Sequence, residues 1–223
     1  VFKMFANIIF KLPYTVYGFK IYAPYKLNNS FFANINTHYN SFIQKGYEED
    51  EMKLISEHLE PNDSVLELGG CLGVISCLIN KKLNNPDNHV VFEISPRNFK
   101  YLERNKYKNG CQFKCVLGVI SNNNDTFFNE SNNFLGGKKN DSFGEKVLNK
   151  VKTNELSNFD IPFNLLIMDI EGGEVDIFNE LDLTPFNKII YENHFSHKFI
   201  SKKELEIIEK KLKRNLFFKK TNS

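Results

Sequence analysis

The chain has 223 residues, 41% hydrophobic and 25% charged, which suits one sizeable buried core and excludes a disordered or fibrous composition. A net charge of +2 is too small to argue for a nucleic-acid partner through phosphate neutralisation, and no apolar run is long enough to insert stably in a bilayer. The four cysteines, Cys71, Cys77, Cys111 and Cys115, lack the C-x-x-C and Cys/His finger spacings, which argues against structural zinc and for a reduced, cytoplasmic protein.

The first segment, VFKMFANIIFKL, places Phe2, Phe5, Ile9 and Leu12 on one helical face. Residues 1–45 read as an N-terminal appendage that includes a strand, VYGFKIYA, ahead of a core at 46–223. In the core, residues 48–59 open with four acids suited to a helix N-terminus, carry Met52, Ile55 and Leu59 on one face, and stop before Pro61. SVLEL (64–68) is a short apolar strand, and a helix follows from Gly73 with Val74, Leu78 and Ile79 facing inward.

HVVFEI (89–94) is the second core strand; Ser95 then caps a helix with Pro96 in its first turn, ended by Asn109-Gly110. QFKCVLGV (112–119) is the third strand. Residues 121–144, rich in Asn, Gly and Ser, form a long loop or hairpin excursion with TFF (126–128) as a short strand. FNLLIMD (163–169) is nearly continuous in apolar character, as a strand buried on both faces should be.

A helix from Gly173 to about Leu181, a strand NKIIYE (187–192), a helix capped by Ser201 and Glu204, and a sixth strand starting at LFFKK (216–220) complete the pattern. The basic pairs near the C-terminus read as a solvated helix face. Strand–helix alternation of this kind means an α/β fold, a doubly wound, mostly parallel sheet covered on both faces.

The chemistry gathers at strand ends. VLELGGCLG (65–73) lacks the Lys of a phosphate-binding loop, and its G-G-x-x-G spacing is not the dinucleotide G-x-G-x-x-G. Glu67 puts a carboxylate beside this turn, which would repel a pyrophosphate and attract an ammonium. S-adenosylmethionine has an ammonium, a sulfonium and no phosphate. Glu93, closing the second strand, is placed to take both ribose hydroxyls of a nucleoside.

In IMDIEGGE (167–174), Asp169, Glu171 and Glu174 crowd the end of the fourth strand, where mutual repulsion suits general-base work or metal binding more than stability. Glu174 equally serves as a first-turn acid of its helix. YENH (191–194) brings Glu192 and His194 to the same edge, and His is the side chain most easily tuned as a base near neutrality. His38, His58, His89 and His197 have no such context.

Taken together and in order, LELGGCLGVIS, VFEISPRNFKYLERN, VKTNEL, LLIMDIEGGE and IIYENH resemble the FkbM family of S-adenosylmethionine-dependent methyltransferases, from about Glu48 to His194. The resemblance implies the class I, Rossmann-like methyltransferase fold and O-methylation of a hydroxyl on a saccharide or natural product. It matches Glu67, Gly69 and Gly73 to the first cofactor loop, Glu93 to the ribose-binding acid, and Asp169, Glu171, Gly172 and Glu174 to a D-x-E-G-x-E segment. The expected cofactor set is Glu67, Gly69, Gly70, Cys71, Gly73, Glu93, Ile94, Gly118 and Asp169. Cys71 stands where the family tends to have Asn, Met168 where it often has Lys, and the family's usual seventh strand is not expected in this stretch.

His194 or Asp169 is the expected base, with Glu171 orienting; a divalent ion on Asp169 and Glu192 is the minority alternative. Two other readings stand beside this one. An NAD(P)-dependent oxidoreductase would use the same turn and Glu93, and a degenerate, non-catalytic methyltransferase module is motivated by Cys71 and Met168. Base methylation of nucleic acid is disfavoured, because DIEG replaces the [DN]-P-P-[YF] segment after the fourth strand.

Overall fold

A computed structural model describes residues 14–23, 49–122, 127–130, 137–140, 145–146, 149–170, 173–193, 206, 210 and 216–221. In chain order these form β1 (Tyr14–Val16), β2 (Phe19–Ile21), α1 (Glu49–His58), β3 (Val65–Leu68), α2 (Val74–Lys82), β4 (His89–Glu93) and α3 (Pro96–Lys108). Then come β5 (Lys114–Leu117), β6 (Val119–Ile120), β7 (Phe127–Glu130), β8 (Gly137–Asn140), β9 (Glu145–Lys146), β10 (Lys150–Val151) and a 3-10 helix, Thr153–Phe159. β11 (Leu165–Met168), α4 (Glu174–Glu180), β12 (Lys188–Asn193) and β13 (Leu216–Thr221) follow.

Six strands build the central sheet in the order β13-β12-β11-β3-β4-β5, every pair parallel. The chain winds outward from β3 through β4 to β5, then returns to the other side of β3 and winds outward again. The winding therefore reverses between β3 and β11, and the loops leaving their C-terminal ends part there, which is where doubly wound sheets bind ligands.

Alternation along the strands sorts the core into two layers. Leu66, Phe92, Leu166, Met168 and Tyr191 face α4 and the 3-10 helix, where Phe178 stacks edge-on against Tyr191 with ring centroids 5.2 Å apart. Val65, Leu165, Ile167 and Ile190 face the opposite way, onto Met52 and Ile55 of α1, Leu59 just after it, and Ile75 and Ile79 of α2. A full Leu or Ile side chain buried in either layer contributes about 1.5–3 kcal/mol, so the short strands are held by their faces as much as by their ladders.

Three expectations need correcting. VYGFKIYA is not one strand but a hairpin, because Tyr17 and Gly18 both have positive φ (47° and 85°), the pair a type I′ turn requires. The third core strand breaks at Gly118 (φ 152°), and β6 leaves the sheet to pair in parallel with β10. The Asn-rich excursion carries a three-stranded antiparallel sheet, β8-β7-β9, beyond the single short strand expected. The amphipathic segment at 2–12 and the Ser201/Glu204 cap lie outside the described residues.

Candidate functional site

The turn after β3 is stitched to both neighbouring strands. Gly69 and Gly70 each donate their N–H to the Phe92 carbonyl of β4 (2.9 and 3.0 Å), and Asp169 N–H donates to the Leu68 carbonyl (3.0 Å). Gly69 has φ 95°, and a Cβ there would lie 1.9 Å from the Asp169 carbonyl oxygen. Only a bare backbone lets β3 turn this close to β11. At Gly70 a Cβ would lie 2.4 Å from Val91 Cγ1 of β4 and 3.0 Å from Leu102 of α3, and at Gly73 it would lie 2.8 Å from Leu102, so Gly70 lets the turn lie against β4 and Gly73 admits the helix.

Cys71, between them, is a non-glycine residue in the left-handed region (φ 46°), where Asn is several-fold enriched. That is the physical sense of the Asn that the resemblance leads one to expect at this point. The conformation is held from outside: Cys71 N–H donates to Glu93 Oε2 (2.7 Å), and Asn98 Nδ2 reaches Cys71 Sγ (3.9 Å).

Glu93 is the hub of the region. Its Oε1 accepts from Ser95 N–H (2.7 Å), its Oε2 from Cys71 N–H, and its carbonyl from Gly118 N–H (2.9 Å). One residue thus ties together the loops that leave β3, β4 and β5. Gly118 sits so close to Asn149 that a Cβ would be 2.1 Å from its carbonyl oxygen. Ser95 caps α3 by accepting from Asn98 N–H (3.2 Å), and Ile94 lies half-buried between hub and cap. Cys71, Glu93, Ile94 and Gly118, expected from sequence to share a site, are brought together.

Glu67 is placed differently from the expectation. Its carboxylate does not lie beside the turn; it is buried under α2, with Oε1 accepting from Ser76 Oγ (2.7 Å) and Oε2 2.8 Å from His89 Nε2. The strand face explains this: Glu67 alternates with Leu66 and Leu68 onto the α2 side, and it leans back to His89, the cross-strand partner of Val65. His89 therefore does have a context, an acid 22 positions earlier, with its ring against Phe113 at 5.2 Å and Nδ1 buried without a hydrogen-bond partner.

At the β11–β12 edge the register pairs Met168 with Tyr191, so Asp169 and Glu192 follow side by side at adjacent strand ends. Asp169 is half-buried, while Glu192 and Glu174 are buried. Met168 is fully buried in the α4-side core, which is why an apolar residue suits it. Glu171, Gly172 and His194 lie outside the described residues. Among the described residues, no group of three His, Cys, Asp or Glu side chains is placed to hold a metal ion.

Behind the turn the cysteine thiols are shifted in opposite directions. A hydrogen bond with Cys111 and then burial raise the Cys77 thiol, the same bond lowers Cys111, and burial pushes Cys115 up to about 12. No helix among the described residues is long and apolar enough to cross a membrane. The residues that sequence reading missed, Ser76, His89, Asn98 and Asn105, act through contacts spanning 9 to 83 positions, which no local pattern reveals.

In comparison with known proteins, the family described as Methyltransferase FkbM domain matches residues 67–218, more than half of the chain. No curated protein matches it.

Proposed function

The chain belongs to the FkbM methyltransferase family, and on that footing we propose that it is an S-adenosylmethionine-dependent O-methyltransferase acting on a hydroxyl of a saccharide or other small natural product. The observation that carries this reading is Glu93. A buried carboxylate at the end of the second strand, oriented by the Cys71 and Ser95 amides, stands beside the glycine turn at the point where the sheet reverses. An acid closing the second strand beside a glycine turn is the group that takes a ribose diol in nucleotide-binding α/β folds.

In this reading Glu93 holds the ribose, the backbone of Gly69 to Gly73 and Ile94 line the cofactor, and Gly118 lets the third loop approach. Glu67 serves the fold beneath α2 rather than the ligand. The cofactor, when bound, supplies a methyl group on a sulfonium, so transfer is an in-line displacement that asks the protein chiefly for orientation. The acceptor hydroxyl enters between the excursion at 121–144 and the appendage. Asp169 or His194 takes its proton, and Glu171 orients the acceptor.

Calorimetry with S-adenosylhomocysteine against NAD tests the cofactor. Selective binding of S-adenosylhomocysteine is expected, and selective binding of NAD would overturn the reading. For the base, Asp169→Asn and His194→Ala are expected to differ, one of them cutting turnover by about 100-fold or more while leaving S-adenosylhomocysteine affinity nearly intact. Wild-type turnover in both would remove these residues from the chemistry.

A further inference from the structure

Asn105 of α3 and Asn109, the C-cap of that helix, stand one turn apart, and their side chains do for β2 what a neighbouring strand would do. Asn109 Oδ1 accepts from Lys20 N–H (2.8 Å) while its Nδ2 donates to the Lys20 carbonyl (3.0 Å). Asn105 repeats the pattern two residues on: Oδ1 accepts from Tyr22 N–H (2.7 Å) and Nδ2 donates to the Tyr22 carbonyl (2.9 Å). The match is geometric, since two residues of strand rise about 6.6 Å and four of helix about 6 Å. Because the N–H needs an oxygen and the carbonyls need a nitrogen, the network itself fixes which way each amide points.

The residues between the clamped ones complete the seat. Ile21 and Ala23 are buried against Leu72 and Val74, and the Arg104 guanidinium lies 3.6 Å from the centroid of the Tyr22 ring. Asn105 makes one more bond: its Nδ2 donates to the Leu72 carbonyl (2.8 Å), inside the glycine turn. Leu72 lies between the two left-handed residues Cys71 and Gly73. The turn is thus gripped from two sides, by Glu93 on the Cys71 N–H and by Asn105 on the Leu72 carbonyl.

We propose that the β1–β2 hairpin is a working part of the cofactor turn, with Asn105 as the positioning residue that couples the two; the cofactor half of this rests on the reading given above. Two of the three bonds made by the Asn105 side chain are to the backbone of Tyr22. Lifting the hairpin therefore frees the amide to rotate and leaves the Leu72 carbonyl without this bond, and the left-handed conformation at Cys71 loses one of its supports. The hairpin preorganises the turn before any ligand arrives.

The test uses the full chain with Asn109→Ala, which loosens the exposed half of the clamp without touching the turn, and with Asn105→Ala. Amide hydrogen exchange at Cys71 and Gly73, S-adenosylhomocysteine affinity and melting temperature are read on each variant. Faster exchange at Cys71 and Gly73 in Asn109→Ala is expected, with affinity weakened about 3- to 10-fold and a larger loss in Asn105→Ala. Acceleration confined to residues 14–23 overturns the proposal, and should Asn105→Ala fail to fold, Asn109→Ala decides alone. If the wild-type chain binds no S-adenosylhomocysteine, the methyltransferase reading fails, while exchange at the turn still upholds or overturns the coupling.

Discussion

Both ends of the central strands bury an acid, and the two acids are held in different ways. At the N-terminal end, Asp63 meets Lys188 Nζ at 2.6 Å and accepts from Asn164 Nδ2 (3.0 Å) and Glu60 N–H (2.8 Å). Asn164 Oδ1 in turn accepts from Ser64 N–H (2.7 Å), and Lys188 also donates to the His58 carbonyl (3.1 Å). At the C-terminal end, Glu93 is gripped by peptide N–H groups of two turns. A cation and a cage of side chains close the first acid into the fold. Amides of loops make the second acid an organiser of those loops. The sheet is locked at one end and shaped at the other.

The largest expected effect breaks the locked end. Lys188→Met leaves Asp63 buried without its cation, which should cost about 3–5 kcal/mol in urea unfolding. Affinity for S-adenosylhomocysteine per folded molecule should not change, and a loss there would mean that the two ends are not separable. Next, Glu93→Ala should weaken S-adenosylhomocysteine by about 100-fold in calorimetry, as expected for losing charge-assisted bonds to a diol. A melting temperature that collapses instead would move Glu93 to the structural side of the comparison.

Glu67→Gln sharpens the boundary between the two ends. It keeps the side chain's shape under α2 but alters its bonds to Ser76 and His89, so a stability loss of about 1–3 kcal/mol with affinity within threefold is expected. The smallest effect is Cys71→Asn, which should raise stability by about 0.5–1 kcal/mol by easing a left-handed residue, seen as a higher urea midpoint. A lower midpoint would show that the Cys71 thiol is worth more than the relief of its backbone.

The doubly wound sheet was legible because buried parallel strands are written as unbroken apolar runs, LLIM in β11 above all. Glu93 was legible for a related reason, since an acid closing such a run stands at the ligand edge. Glu67 was not: a period of two assigns a face of the sheet but not the direction in which a side chain leans along it. His89, 22 positions away, is what turned it. The hairpin was hidden because Tyr-Gly is a weak turn signal inside an alternating stretch. The seat on Asn105 and Asn109 was hidden because it joins segments 83 and 89 positions apart.

The small parallel pair of β6 and β10 has a consequence for how this protein can change. Val119 aligns with Lys150 and Ile120 with Val151, and the Val119 and Ser121 N–H groups donate to Asn149 and Val151 carbonyls at 3.2 and 3.1 Å. The chain therefore leaves for its Asn-rich excursion and returns from it at neighbouring points, cinched like the neck of a bag. Whatever lies beyond such a neck can be lengthened, shortened or replaced, because doubling a closed loop costs only about 0.6 kcal/mol. Descendants of this sequence could rewrite that stretch wholesale while the sheet beneath inherits none of the disturbance.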